Sequence, residues 1–436
     1  MMKRVVRGSI LHFLSDPASG SGATAWRYWE DGALVIEGGL VVGISDFAAL
    51  KPVDSAGATV DDYRGMLILP GFVDTHIHYA QVDVIASYGT QLLDWLERYT
   101  FPAERKFADS AHAAAMAEFF FDELLRNGTT TAAVFPTVHK VSVDAFFTAA
   151  KRRKMRMLAG KVMMDRNCPS FVRDDVESAE ADNRDLIARW HGKDRLVYTL
   201  TPRFAPTSTP AQLALTARLL GEFPGLHLQT HLAENREEIK WVAELFPDSA
   251  SYYDVYARAG LVGPSSVFAH CVHMSDPDLA RMAKAGGSIS FCPTSNLFVG
   301  SGLFDLRRAR AAGVNVGIGT DVGGGTSYSI LRTLAEAYKV LQLNGINLDA
   351  MSAFHLATLG GADALGQADR IGNFAEGKEA DFVVLDLGAT PVLARRTSIA
   401  ESIEERLFAL MTLGDDRSVF ATHILGEPSY RRAAAI

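Results

Sequence analysis

Between residues 72 and 322 the chain alternates short β-rich runs with helical stretches, and no other feature limits its fold as strongly. Strands that alternate with helices are joined by crossovers and run parallel. Eight runs can be counted: FVDTHIH (72–78), TTTAAVF (129–135), MLAGKVMMD (157–165), LVYTLTPRF (196–204), LHLQTHLAE (226–234), SSVFAHCVH (265–273), GSISFCPTSN (287–296) and VNVGIGTDV (314–322). Helices fill the intervals; DSAHAAAMAEFFFDELLRNG, for example, starts at a capping Asp109 or Ser110 and stops at Gly128. Eight strands with eight helices predict an α/β fold of the (β/α)8 TIM-type barrel class. An open doubly wound sheet is the alternative, but it would place a Gly-rich nucleotide loop after its first strand, where this chain has His-Ile-His.

The two ends read differently from the middle. Residues 31–49 predict a β-hairpin turning at Gly38-Gly39, and residues 377–387 predict a further strand. Both termini are expected to meet in a small flanking β-sandwich, 1–68 with 372–436, beside a barrel spanning 69–371. The closing RRAAAI is expected to be a frayed tail. A chain of 436 residues with 48% hydrophobic content can fill one large core and a smaller unit.

Charge and cysteine content exclude several classes. The net charge is −8, and the longest basic run is Lys151-Arg152-Arg153-Lys154, which reads as a solvated helix face and not as a nucleic-acid patch. Cys168, Cys271 and Cys292 form no C-x-x-C pair, so neither a zinc ribbon nor a disulfide framework is expected; Cys271 and Cys292 read as buried packing thiols. The N-terminal MMKRVVRGSILHFLSDP has too short an apolar stretch for a signal peptide, and no membrane span is found, so a cytoplasmic protein is expected.

Side chains alternate across a strand, so His76 and His78 face the same side at the end of the first run. Two such histidines can share an ion or simply be hydrogen-bonded. His231, His270 and Asp321 stand at the ends of the fifth, sixth and eighth runs, and a barrel brings all these ends to its C-terminal mouth, where active sites of this architecture lie. Nitrogen and oxygen donors with an open position suit a catalytic zinc, one per chain, which lowers the pKa of bound water to about 7; iron would also fit. Asp321 can touch the metal and accept a proton from water. Glu234, three residues after His231, can pass protons to a substrate, or can instead be a helix N-terminal Glu stabilised by the dipole.

Substrate selection points to Gln81 and to Arg203-Phe204. Arg offers only donors and Phe a flat apolar face, which suits a planar ring with a carbonyl; the competing reading is an ion pair and a packing residue. Gly323-Gly324-Gly325 lacks the context of a phosphate loop and is expected to let backbone approach the site. His227 lies deeper and reads as a satisfied core histidine, whereas His273 is nearer the mouth and can support the site indirectly.

The combination of VDTHIH, HLAEN, FAHCVH, GTDVGGG and the GKEADFVVLD ending resembles the amidohydrolase superfamily in its single-metal deaminase branch. HIHYAQ followed by LLDWLERYTFPAE, then TPRFAPT and CPTSNLFVGSG, is similar to the guanine deaminase family within it. The resemblance implies hydrolysis of guanine to xanthine and ammonia, with metal-bound hydroxide attacking C2, in a zinc enzyme that is usually a homodimer acting on a small-molecule purine. It places His76, His78, His231 and Asp321 at ligand positions, and His270 either among them or against the hydrolytic water. Gln81, Arg203 and Phe204 match purine-holding positions, His231 also faces the substrate, and Glu234 matches the proton shuttle; Glu234, Asp321 and His270 are then the catalytic set.

Three other readings compete. One is a deaminase of a pterin, a triazine, an oxidised guanine or an adenosine derivative. A two-metal cyclic-amide hydrolase would need a modified lysine at the end of the fourth run, which has none; Lys161 lies in the third. The last is a non-catalytic scaffold on an enzyme fold. The cytidine-deaminase type of zinc enzyme is excluded, because its H-x-E and P-C-x-x-C signature is absent.

Overall fold

The computed structural model describes residues 3–19, 24–51, 57–89 and 91–433. Its centre is a parallel sheet whose strands follow chain order: β5 (Phe72–His78), β6 (Thr129–Phe135), β7 (Arg156–Ala159), β9 (Leu196–Pro202), β10 (His227–Leu232), β11 (Ser266–His270), β12 (Ser288–Phe291) and β13 (Asn315–Ile318), with the two-residue β8 (Val162–Met163) paired to β9. β5 and β6 are buried along their whole length, as strands covered on both faces must be. The ring closes between its first strand and the loop after its last: Asp321 N donates to His76 O (2.9 Å) and His78 N to Val322 O (2.8 Å). Beneath this seam the buried Asp74 carboxylate accepts from His76 N, Thr320 N and the Thr320 hydroxyl.

The eight expected runs are all present, but several end early. The third breaks at Gly160, where an added Cβ would overlap Thr199 O. The seventh stops at Phe291 because Pro293 opens a helix, Pro293–Phe298, so Asn296 lies on that helix and not on a strand. Asp321 sits beyond β13, in the loop. The helix Ser110–Arg126 starts as expected, with the Asp109 carboxylate accepting from the N–H groups of Ala111 and His112.

Both ends of the chain contribute to a second, seven-stranded sheet of order β16-β15-β14-β4-β1-β2-β3. Its strands are β1 (Lys3–Phe13), β2 (Trp26–Glu37), β3 (Leu40–Asp46), β4 (Thr59–Pro70), β14 (Phe382–Leu385), β15 (Val419–Ile424) and β16 (Glu427–Arg431). The hairpin turns at Gly38-Gly39, both at positive φ, and β4 runs on to Pro70, one residue short of the barrel's first strand. Residues 372–436 also hold two helices that the β reading did not anticipate, Pro391–Ser398 and Ile403–Leu413; Leu407 and Leu410 of the second bury in the same core as Leu331 and Leu334 of helix Ile330–Leu343. The last three residues of RRAAAI lie outside the described residues.

A cluster of buried charges ties the barrel to the segment leading into β14. Arg156, at the start of β7, and Arg195, just before β9, both grip Glu379 (Nε to Oε2 at 2.8 and 2.9 Å), and Arg195 also pairs with Asp381. No helix among the described residues is long and apolar enough to cross a membrane.

Candidate active site

The structure converges His76, His78, His231, His270 and Asp321 at the barrel mouth. His76 Nε2 and His78 Nε2 lie 3.2 Å apart, and His231 Nε2 is 3.3 Å from His78 Nε2. Asp321 Oδ1 is 3.3 and 3.4 Å from the first two, and Asp321 Oδ2 is 3.7 Å from His270 Nε2. Burial holds the His78 imidazole down at about 3, and burial also lowers His76 and His231. Burial opposes ionisation of Asp321, but His76, His78 and His270 outweigh it and hold the carboxylate well below its usual range.

The outer partners aim these donors inward. His231 Nδ1–H donates to Arg203 O at 2.7 Å and His270 Nδ1–H to Asn296 Oδ1 at 2.8 Å, which leaves each Nε2 lone pair facing the centre. His270 Nε2 is buried and has no hydrogen-bond partner. An orphaned imidazole nitrogen beside three other imidazoles and one carboxylate fits a divalent ion of the zinc class. His270 (φ 71°) and Asp321 (φ 50°) are both in the left-handed region, which side-chain-bearing residues enter at a cost; here that turn swings each group from strand end to mouth.

Glu234 is buried beside this cluster, with Oε2 3.4 Å from His270 Nε2 and Oε1 accepting from the Ser301 hydroxyl at 2.9 Å. Burial, then the nearby Asp321 charge, pushes its carboxyl up to about 8. Glu234 stands just ahead of the helix Arg236–Leu245 and lines the cavity. The cap is Asn235, and Glu238 Oε2 accepts from the N–H groups of Glu234 (3.0 Å) and Asn235 (3.1 Å). The Tyr252 hydroxyl donates to the other oxygen of Glu238 at 2.8 Å.

A small, partly enclosed cavity opens on these groups. Gln81, Arg203 and Phe204 line it together with His78, His231, His270, Glu234 and Asp321. Leu92, Trp95, Leu96 and Val299 add an apolar wall that sequence reading did not single out. The ion-pair reading of Arg203 also holds: Arg203 Nη1 donates to both oxygens of the fully buried Glu104, at 2.8 and 2.9 Å. Glu104, Asn296 and Ser301 were missed as well; a lone acid inside the apolar stretch RYTFPAE was the available signal for Glu104.

The glycines behave as expected of a close approach. An added Cβ at Gly323 would stand 2.6 Å from Gln81 O, one at Gly324 2.6 Å from Ser295 Oγ, and one at Gly325 would overlap Thr320 O. His227 is engaged by the carbonyls of Gly225 and Leu365, away from the cavity. His273 Nε2–H donates to Ser301 O at 2.8 Å, so it steadies the residue that in turn donates to Glu234. Cys271 and Cys292 are buried and free. Lys161 pairs with Asp174, which leaves the two-metal reading without its lysine.

A family model described as "Amidohydrolase family" matches residues 67–428. The chain is 52% identical to a guanine deaminase of Escherichia coli over 410 residues, covering 94% of this chain and 93% of that protein. Among solved structures, an E. coli guanine deaminase superposes with a TM-score of 0.95 at 49% identity, covering 99% of this chain and 100% of the other. A guanine deaminase from C. acetobutylicum with guanine bound in its active site superposes with a TM-score of 0.89 at 28% identity, covering 98% and 100%. With the matched segment spanning the barrel and the C-terminal strands of the flanking sheet, and with the mouth built as described, this chain belongs to the amidohydrolase family.

Proposed function

We propose that this protein hydrolyses guanine to xanthine and ammonia, with the chemistry in the barrel unit (69–371) and the flanking unit (1–68 and 372–436) as scaffold. The observation that carries the reading is one buried carboxyl, Glu234, 3.4 Å from His270 Nε2 in a cavity also lined by Arg203, Gln81 and Phe204. The relatives named above, one with guanine in its site, support it.

His76, His78, His231 and Asp321 would hold the ion, with His270 completing the set or holding the attacking water. The nitrogen-and-oxygen donors favour zinc; the family resemblance supports a homodimer, and a cytoplasmic setting is proposed from the sequence reading alone. A bound divalent ion supplies a Lewis acid that brings a water's pKa to about 7. Phe204 packs against one face of the ring, and Arg203 donates to O6, where adenine would present an amino donor and be rejected. Asp321, ionised at neutral pH, accepts the proton of the water that adds at C2. Glu234, protonated at neutral pH because of its burial, gives its proton to N3 and then relays one to the departing amine. Water is consumed and ammonia leaves, with no other reactant needed.

Ammonia release from guanine by purified metal-replete protein tests this, with Glu234→Gln as the control. The variant is expected to lose about 10²–10⁴-fold in kcat, the usual worth of a general acid–base group. Guanine left intact by the wild-type protein would overturn the substrate, and pterin, triazine and 8-oxoguanine would then be screened in its place.

A further inference from the structure

Two cavity-lining side chains meet on one hidden acid. Glu104, in the helix Phe101–Arg105, is fully buried and takes Arg203 Nη1 on both oxygens, while its Oε1 also accepts from Gln81 Nε2 at 3.3 Å. The other end of the Gln81 amide accepts from Gly323 N at 3.3 Å, so the amide cannot turn over without breaking both bonds. Arg203 is further held over Phe101, with Cζ 5.4 Å from the ring centroid. Both Glu104 bonds use Nη1, which leaves Nη2 and Nε uncommitted by this pair.

Charge is the consequential part. A buried guanidinium without a counter-ion strongly favours an anion, because nothing else offsets its lost hydration. Paired with Glu104 it is a neutral unit that still offers donors, which suits the carbonyl of an uncharged ring. Hydrolysis replaces the ring's amino group by a second carbonyl, and an N–H flanked by carbonyls is more acidic than one in guanine. The product therefore becomes an anion at a pH where the substrate is neutral.

We propose that Glu104 is a positioning residue that sets the charge preference of the site: it orients Arg203 and Gln81 and cancels the guanidinium charge, so that the pocket favours the neutral aminated ring over its acidic product. This rests on the guanine deaminase reading above.

The test uses the metal-loaded wild-type enzyme with Glu104→Gln and Glu104→Asp. For each, kcat and KM for guanine and inhibition constants for xanthine and for hypoxanthine, a neutral 6-oxopurine, are measured from about pH 6 to pH 9. Glu104→Gln is expected to raise KM about tenfold and, at the alkaline end, to tighten xanthine relative to hypoxanthine about tenfold, the scale of one charge-assisted hydrogen bond. Glu104→Asp keeps the charge and is expected to keep the wild-type ratio. A ratio in Glu104→Gln within about twofold of wild type at every pH overturns the proposal, as does an equal change in Glu104→Asp. Should Glu104→Gln not fold, the wild-type series decides: a ratio flat with pH supports the proposal, and tenfold tightening of xanthine on its ionisation overturns it. Wild-type inactivity on guanine would instead defeat the parent reading, whatever the variants do.

Discussion

Asn296→Leu isolates the contact that fixes the tautomer of His270. The side chain is fully buried, its Oδ1 accepts the His270 Nδ1–H at 2.8 Å, and its Nδ2 has no partner. Leucine fills nearly the same space and removes both atoms. A buried N–H left without an acceptor costs about 1–3 kcal/mol. His270 can escape that cost by moving its proton to Nε2, which faces Glu234 Oε2 at 3.4 Å. The loss then falls on the site and not on the fold, because Nε2 no longer carries a lone pair. Removal of an outer partner of a ligand typically costs about 10–100-fold in metal affinity or activity, or about 1.4–2.8 kcal/mol. Stability is not expected to fall, since the orphaned Nδ2 donor disappears too. Metal content along a chelator series, kcat/KM for guanine and thermal unfolding together give the answer. Metal affinity and kcat/KM both within about twofold of wild type would refute the claim that Asn296 sets the tautomer.

Two further outcomes concern stability. His12 and His423, in the flanking sheet, are each pushed down to about 4, chiefly by burial, so both are neutral when folded and take up protons on unfolding. Their stabilising effect is full above about pH 6.5 and is lost as pH falls from there to about 4, by roughly 3 kcal/mol each; a His12→Gln variant whose unfolding free energy keeps the wild-type pH slope in that window would contradict this. Asp174→Asn leaves the buried Lys161 ammonium without its carboxylate and is expected to cost about 3–5 kcal/mol in denaturant unfolding, against no more than about 1 kcal/mol for a surface pair such as Lys240–Glu237.

The barrel was legible because parallel strands buried on both faces are written as apolar runs, and TTTAAVF needs no other context to be read as one. Strand ends were not legible, since the runs continue into loops with the same residue types: GSISF and the PTSN that follows differ in structure only because Pro293 can open a helix turn. The histidine cluster could be read because His76 and His78 obey a two-residue period and the other donors end strands. Glu104 offered only the hint of an acid beside apolar residues; its role could not be read, because its partner Arg203 is 99 residues away and no local spacing records the pair. The two helices of 391–413 carried signals that were passed over, with Thr390 and Ser402 as caps and Pro391 in the first turn.

The seam at which the barrel closes also sets when the site can exist. Asp74 and Thr320, which lock it, are 246 residues apart, with His76 two residues after the first and Asp321 next to the second. At about 5–20 residues per second, a ribosome takes roughly 12–50 s to cover that distance. Throughout that interval the nascent chain displays the first two histidines without the carboxylate that completes their set. Chains truncated before β13 should thus hold an ion weakly through histidine alone, and tight metal retention would serve as a readout of completed synthesis and closure.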